Sequence, residues 1–277
     1  MNASRLLLVD ADPAVHEALR PVLRRAGTVG DVYDGREAFA QLKDLAWDVV
    51  VADQGHDGFD APRLLRWVRA VRPEARVILM GDPDPQRVIE AIRSRAFSYF
   101  HKPLAAAPLA DMVQQALVAE SWKDDIRVVS ARPEWITLEI RCKMGTNERA
   151  TQFLREMQTD LPAGIRDDVS VAFRELLMNA IEHGGKCNPQ KRVRVSLLRT
   201  AKSVVGHIQD PGTGFSLNSL PHAAISNPED SPIKHVEVRL EKGQRPGGFG
   251  ILMTRNMVDE LLYNEPGNAV LFVKYLK

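Results

Sequence analysis

The chain has 277 residues, 44% hydrophobic and 26% charged, which is material for two globular domains of ordinary composition. Lys plus Arg number 37 against 36 for Asp plus Glu, so a net charge of +1 gives no electrostatic case for nucleic-acid binding. Two cysteines, Cys142 and Cys187, are too few for a disulfide framework, no apolar run reaches the ~18 residues of a membrane span, and Asp10 breaks any leader-like segment, so a cytoplasmic protein away from membranes is expected.

The first hundred residues alternate strand and helix. Apolar runs at 5–10 (RLLLVD), 28–33, 47–53 (WDVVVAD) and 76–80 (RVILM) read as strands, and 98–101 leads into Lys102-Pro103. Between them Val15, Ala18, Leu19, Val22 and Leu23, then Leu64, Leu65, Val68 and Val71, then Val88, Ala91 and Ile92 recur at helical spacing. Pro13 suits a first helical turn, and Leu109, Met112, Val113, Ala116 and Leu117 predict a closing helix over 104–122. Unbroken apolar strands separated by helices predict an α/β doubly wound parallel sheet. Gly35 and the loop Gly55-His56-Asp57-Gly58 read as turn chemistry.

In such a sheet functional groups gather at the carboxyl ends of strands. Asp10, Asp12, Asp53 and Lys102 all fall there. Clustered acids with one lysine suit a divalent cation beside a phosphorylatable carboxylate. The stretches LLLVDADP, WDVVVAD and YFHKP resemble the receiver domain of two-component response regulators, a flavodoxin-like fold, over about 4–120. The resemblance implies that Asp53 accepts a phosphoryl group from a histidine kinase or other phosphodonor. It implies further that Asp10, Asp12 and Asp53 hold Mg2+, that Lys102 contacts the phosphoryl group, and that Tyr99 changes rotamer on activation. Two positions depart from the pattern: Ala11 stands where the second of two adjacent acids is usual, and Gly81 where Ser or Thr is usual. Phosphorylation at Asp53 and a ligand-independent receiver both remain open.

The charged break Lys123-Asp124-Asp125 separates a second region. Residues 126–130 and 135–142 read as strands, the latter half-buried and antiparallel because Ile136, Leu138 and Ile140 alternate with polar residues. Thr146-Asn147-Glu148 suits the cap of a helix to about Met157. A longer helix over 166–183 buries Val169, Phe173, Leu176, Leu177, Ala180 and Ile181, with Gly184-Gly185 ending it. Glu175, Asn179 and His183 lie at i, i+4 and i+8, drifting only about 80° around the opposite face. A carboxylate and an amide one turn apart suit proton abstraction and a neutral oxygen for magnesium. Strands at 193–197 and 204–209 follow. Then come Asp210-Pro211-Gly212-Thr213-Gly214-Phe215, a long loop at 217–241, a glycine cluster at 243–250 before an apolar helix, and a closing strand at 269–275. A glycine turn feeding a helix N-terminus offers backbone N–H groups to an anion.

The order of FRELLMNAIEHG, DPGTGF and RPGGFGI resembles the Bergerat-type ATPase fold shared by histidine kinases and gyrase, an α+β two-layer sandwich, over about 130–277. Its branch resembles the serine kinases that act as anti-sigma factors. The resemblance implies Glu175 as general base and Asn179 as magnesium ligand. It implies His183 in the ATP site, Asp210 on the adenine amine, Gly212 and Gly214 shaping the pocket, and Gly247, Gly248 and Gly250 around the phosphates. The expected division is a receiver at 1–122, a linker and first strand at 123–132, and the ATPase domain at 133–277. No histidine sits on a dimerising hairpin before the ATP domain, so a histidine autokinase is not expected. An ATP- and Mg2+-dependent serine/threonine kinase is, acting on an anti-sigma-antagonist-like partner or binding a sigma factor. The alternative is a nucleotide-tuned binding module with little catalysis. Members of that branch are often homodimers.

Overall fold

The computed structural model describes residues 3–54, 61–214 and 250–276. The expected turn at 55–58, the long loop at 217–241 and the glycine cluster up to 249, with Gly247 and Gly248, lie outside the described residues. The chain forms two compact units: Met1–Arg127 with Gln152–Asp160, and Val128–Thr151 with Leu161–Lys277.

The first unit alternates β1 (Arg5–Val9), α1 (Pro13–Leu23), β2 (Thr28–Val32), α2 (Gly35–Asp44), β3 (Val49–Asp53), α3 (Ala61–Val71), β4 (Arg76–Gly81), α4 (Pro85–Arg93), β5 (Ser98–His101) and α5 (Ala106–Val118). The strands are parallel in the order β2-β1-β3-β4-β5, the doubly wound arrangement that the apolar runs predict. Leu6, Leu8, Val49, Val51, Ile78 and Met80 form one core with Leu19, Leu23, Leu109 and Val113 from α1 and α5. Helices cover both faces of the central strands, so those strands carry no polar alternation. Asp12, Asp34 and Asp84 start α1, α2 and α4 by accepting from the backbone N–H of Ala14, Glu37 and Gln86. Two details differ from expectation. Gly35 is the first residue of α2 rather than a plain turn, and in α1 His16 is buried while Ala18 is exposed.

The second sheet is built from β6 (Ile126–Arg132), β7 (Trp135–Arg141), β8 (Arg192–Arg199), β9 (Ser203–Gln209), β10 (Glu260–Tyr263) and β11 (Ala269–Tyr275), in the order β10-β11-β9-β8-β7-β6. The pairings β7–β8, β8–β9, β9–β11 and β10–β11 are antiparallel. Helices α7 (Ala163–Asn179) and α8 (Gly250–Met257) belong to the second unit, and α6 (Thr146–Glu156) starts in the second unit and ends in the first. Ile136, Leu138, Ile140, Val193, Val195 and Ile208 are buried on the strands, as are Val169, Phe173, Leu176 and Leu177 on α7. The α-helix expected to reach His183 stops at Asn179, and Ala180–Gly184 form a π-helical turn closed by Gly185 N–H donating to Ala180 O at 2.8 Å. The Thr146 hydroxyl finds no hydrogen-bond partner among the described residues, so the expected side-chain cap of α6 is not made. Among the described residues no helix is long and apolar enough to cross a membrane.

Candidate functional site

At the carboxyl edge of the parallel sheet, β1 and β3 deliver Asp10 and Asp53, both at most 5% exposed. Lys102, just after β5, bridges them: its Nζ lies 2.7 Å from Asp10 Oδ2 and 2.9 Å from Asp53 Oδ1. Burial alone would lower the Lys102 pKa, but the hydrogen bonds and charges of the two carboxylates outweigh it and the pKa is raised. The ammonium is therefore held charged between the two acids.

The expected Mg2+ set of Asp10, Asp12 and Asp53 is not assembled. Asp12 is exposed, and its Oδ1 accepts from Ala14 N–H at 2.9 Å, which commits it to the cap of α1. Ala11 supplies no oxygen, and among the described residues no group of three His, Cys, Asp or Glu side chains is placed to hold a metal. With Ala11 in the place of the second acid, the next carboxylate in the chain, Asp12, serves the helix start instead. The residues present thus do not fit a divalent ion held by three acids, and Lys102 supplies the positive charge instead.

Tyr99 is fully buried, and its hydroxyl donates to Asp82 O at 2.7 Å. Burial raises its pKa, so it stays a donor. A Cβ on Gly81 would come within 2.7 Å of that hydroxyl. The missing side chain at position 81 is therefore matched by an inward phenol. His16 carries no role in the sequence reading: its Nε2 lies 2.8 Å from Asp10 O and its Nδ1 2.8 Å from Asp31 Oδ1, which ties the carboxyl edge of the sheet at Asp10 to α1 and β2.

The second unit holds a cavity of about 510 Å³. It brings together Glu175 and Asn179 of α7, His183 of the π turn, Asp210, Gly212 and Gly214 from the loop after β9, and Gly250 at the start of α8. Every described residue that the sequence assigned to an ATP site lines this one space. Burial raises the Asp210 pKa, with the Gly212 N–H and Lys191 pulling it back; the Gly212 N–H donates to Asp210 Oδ1 at 2.7 Å. Glu175 is half-buried and receives an Arg174 guanidinium hydrogen bond at 3.2 Å. A Cβ on Gly250 would stand 2.9 Å from Glu175 Oε2, so α8 begins against the carboxylate of α7.

Two contributors were not legible as such. Gly184, expected only to end a helix, makes room for Asp210: a Cβ there would lie 2.1 Å from the Asp210 carboxylate carbon. Tyr263, at the end of the unanticipated strand β10, lines the cavity with a pKa that burial pushes up to about 12. Single π turns recur at functional sites, and here the turn carries His183 into the cavity wall. A mononucleotide fits the space. Small-molecule sites span about 300–1,000 Å³, and the glycines leave the wall open beside the half-buried acceptor Asp210. Magnesium is compatible with the same space, because it keeps several waters and binds largely through substrate phosphates, with the Asn179 side-chain oxygen as the protein atom that would hold it.

Residues 144–274 match the family described as the histidine kinase-like ATPase domain, and residues 6–114 match the response regulator receiver domain. Two similar curated proteins are from Pseudomonas aeruginosa. The C4-dicarboxylate transport transcriptional regulatory protein DctD is 36% identical over 118 residues, 41% of this chain and 25% of that one. The response regulator protein FleR is 36% identical over 115 residues, 40% of this chain and 24% of that one. The chain thus spans about a quarter of the length of these relatives. The solved structure of response regulator DrrB from Thermotoga maritima aligns with a TM-score of 0.41 at 22% identity, covering 46% of this chain and 58% of that one. This chain therefore joins a response regulator receiver domain at residues 6–114 to a histidine kinase-like ATPase domain at residues 144–274.

Proposed function

We propose that the ATPase domain binds ATP with Mg2+ and transfers its γ-phosphoryl group to a serine or threonine of a separate protein, an anti-sigma-antagonist-like partner, under control of the receiver. The observation that carries this reading is the one cavity in which the half-buried acceptor Asp210 and the pair Glu175 and Asn179 meet. Asp210 accepts from the exocyclic amine of adenine. Magnesium, when bound, draws charge off the phosphate oxygens. Asn179 offers it a neutral side-chain oxygen. Glu175 takes the proton of the partner hydroxyl as that oxygen bonds to the γ-phosphorus, and the bond to the β-phosphate oxygen breaks to release ADP. A sigma factor is the other partner that the resemblance implies, and the cytoplasm and a homodimer are the setting it implies.

Asp53 is the carboxylate that a phosphodonor such as a histidine kinase meets in the receiver. A second reading, a receiver that works without phosphorylation, is favoured by Ala11 in the place of the second acid and by the commitment of Asp12 to the α1 cap. Labelling with acetyl phosphate separates the two. Label on the wild-type chain that vanishes in Asp53→Ala supports the first, and an unlabelled wild-type chain supports the second.

The kinase reading is tested by radiolabel transfer from ATP to a candidate partner. Transfer by wild type, lost in Glu175→Ala while ATP binding persists, supports it. A wild-type chain that binds ATP and transfers nothing leaves a nucleotide-tuned binding module.

A further inference from the structure

We propose that Asn268, in the turn between β10 and β11, is a positioning residue that sets adenine selectivity by holding the Asp210 loop in place; this rests on the nucleotide reading of the cavity. The turn Asn264-Glu265-Pro266-Gly267-Asn268 sits beside the Asp210-Pro211-Gly212-Thr213-Gly214 loop and shares its cavity through Gly267 and Asn268. Asn264 Oδ1 accepts from the N–H groups of Asn268 and Ala269, at 3.0 and 2.9 Å. With its oxygen so used, its Nδ2 donates to Asn268 Oδ1 at 2.8 Å. The Asn268 oxygen thus faces a donor, and its own Nδ2 donates to Gly212 O at 3.2 Å. The chain of bonds fixes both amide orientations, because reversing either would set two donors or two acceptors face to face.

The backbone completes the clip. Asp210 N–H donates to Asn268 O at 2.9 Å, so Asn268 holds the loop on both sides of Pro211. Gly214, at φ +84°, lies so close to the Pro266 carbonyl that a Cβ would reach within 1.8 Å of its oxygen. The loop that presents the Asp210 carboxylate is thus anchored by the far hairpin as well as by its own strand. A carboxylate that reads one exocyclic amine must be held to a few tenths of an ångström, since a hydrogen bond weakens steeply with misalignment. Losing the Asn268 amide frees Gly212 O and lets the carboxylate drift, which affects purine recognition and leaves the phosphate end untouched.

The test is calorimetric titration of the full chain with MgATP and with MgITP, whose purine carries a carbonyl in place of the amine. The wild-type chain prefers ATP. In Asn268→Ala the affinity for ATP falls about tenfold while that for ITP changes less than about twofold, so selectivity collapses. Asn264→Ala, a change at an exposed residue, gives a loss in the same direction, and the double variant is no worse than Asn268→Ala alone. A merely structural role weakens both nucleotides equally; that result, or unchanged ATP binding, overturns the proposal. A wild-type chain that binds neither nucleotide is a different outcome and overturns the reading beneath it.

Discussion

The carboxylate of Asp210 occupies the space that a side chain on Gly184 would need, 2.1 Å from the position of its Cβ. The end of the π turn and the end of β9 are therefore built to each other. Gly184→Ala must displace either the turn or the carboxylate. We expect a stability loss of about 1–3 kcal/mol, the usual cost of overpacking, and at least about tenfold weaker ATP binding. Urea unfolding and calorimetry on the same preparation check both. Unchanged ATP affinity would mean that Asp210 does not read the ligand.

An inward Tyr99 and a bare Gly81 form a second matched pair. Gly81→Ala brings a methyl group within 2.7 Å of the Tyr99 hydroxyl, and the expected cost is about 1–3 kcal/mol. Tyr99→Phe removes the hydroxyl along with its bond to Asp82 O, at about 1 kcal/mol. In that background Gly81→Ala should cost clearly less, so a double-mutant cycle by urea unfolding gives a non-zero coupling. Additive effects would show that the two positions do not compete for space.

The raised Asp210 pKa has a definite sign in stability. Burial makes the folded state bind the proton more tightly than the unfolded chain. That contribution is complete below about pH 4, the ordinary carboxylate pKa, and is lost as pH rises through the higher folded value. Asp210→Asn lacks the titration. The wild-type chain should therefore lose stability relative to Asp210→Asn on going from pH 4 to pH 7, measured by urea unfolding at stepped pH. Nucleotide binding runs the other way, since only the ionised carboxylate is a pure acceptor. Affinity should fall as pH drops toward 4, and a difference between the two chains that is flat in pH would contradict the assignment.

Restoring an acid at position 11 tests the receiver edge. With Lys102 holding Asp10 and Asp53, and Asp12 on the helix cap, the wild-type chain should bind Mg2+ weakly. Ala11→Asp should raise that affinity at least about tenfold by adding a carboxylate oxygen. Titration followed by tryptophan fluorescence reads it out. Tight Mg2+ binding by wild type would show that Asp12 leaves its cap.

Most of the architecture was readable because it rests on periodicity. The buried strands of the first unit are continuous apolar runs, and β7 to β9 alternate cleanly, so their type follows from the residues alone. Helix α2 was missed as an element because only Ala38 and Leu42 are buried on it, too few for a stripe. Strand β10 is four residues long and leaves Leu262 exposed, which gives no alternation to detect. The π turn is invisible because Ala180 and Ile181 continue the α-helical apolar pattern even though the hydrogen bonds change. At the site, the gathering of Glu175, Asn179 and Asp210 around one space was expected from the resemblance to the ATPase fold, and the three do line one cavity. The fits of Gly184 to Asp210, Gly81 to Tyr99 and Asn268 to Gly212 were not legible, since each joins segments far apart in sequence. The Asp12 cap was a competition between two uses of one carboxylate, and the local helix start won.

The most direct measurement for the central claim is a calorimetric titration of the full chain with MgATP, run on wild type, Asp210→Asn and Glu175→Ala. The account predicts saturable one-to-one binding by wild type, binding weakened at least about tenfold in Asp210→Asn, and binding within about twofold of wild type in Glu175→Ala. No binding by wild type, or equal binding by wild type and Asp210→Asn, would contradict it.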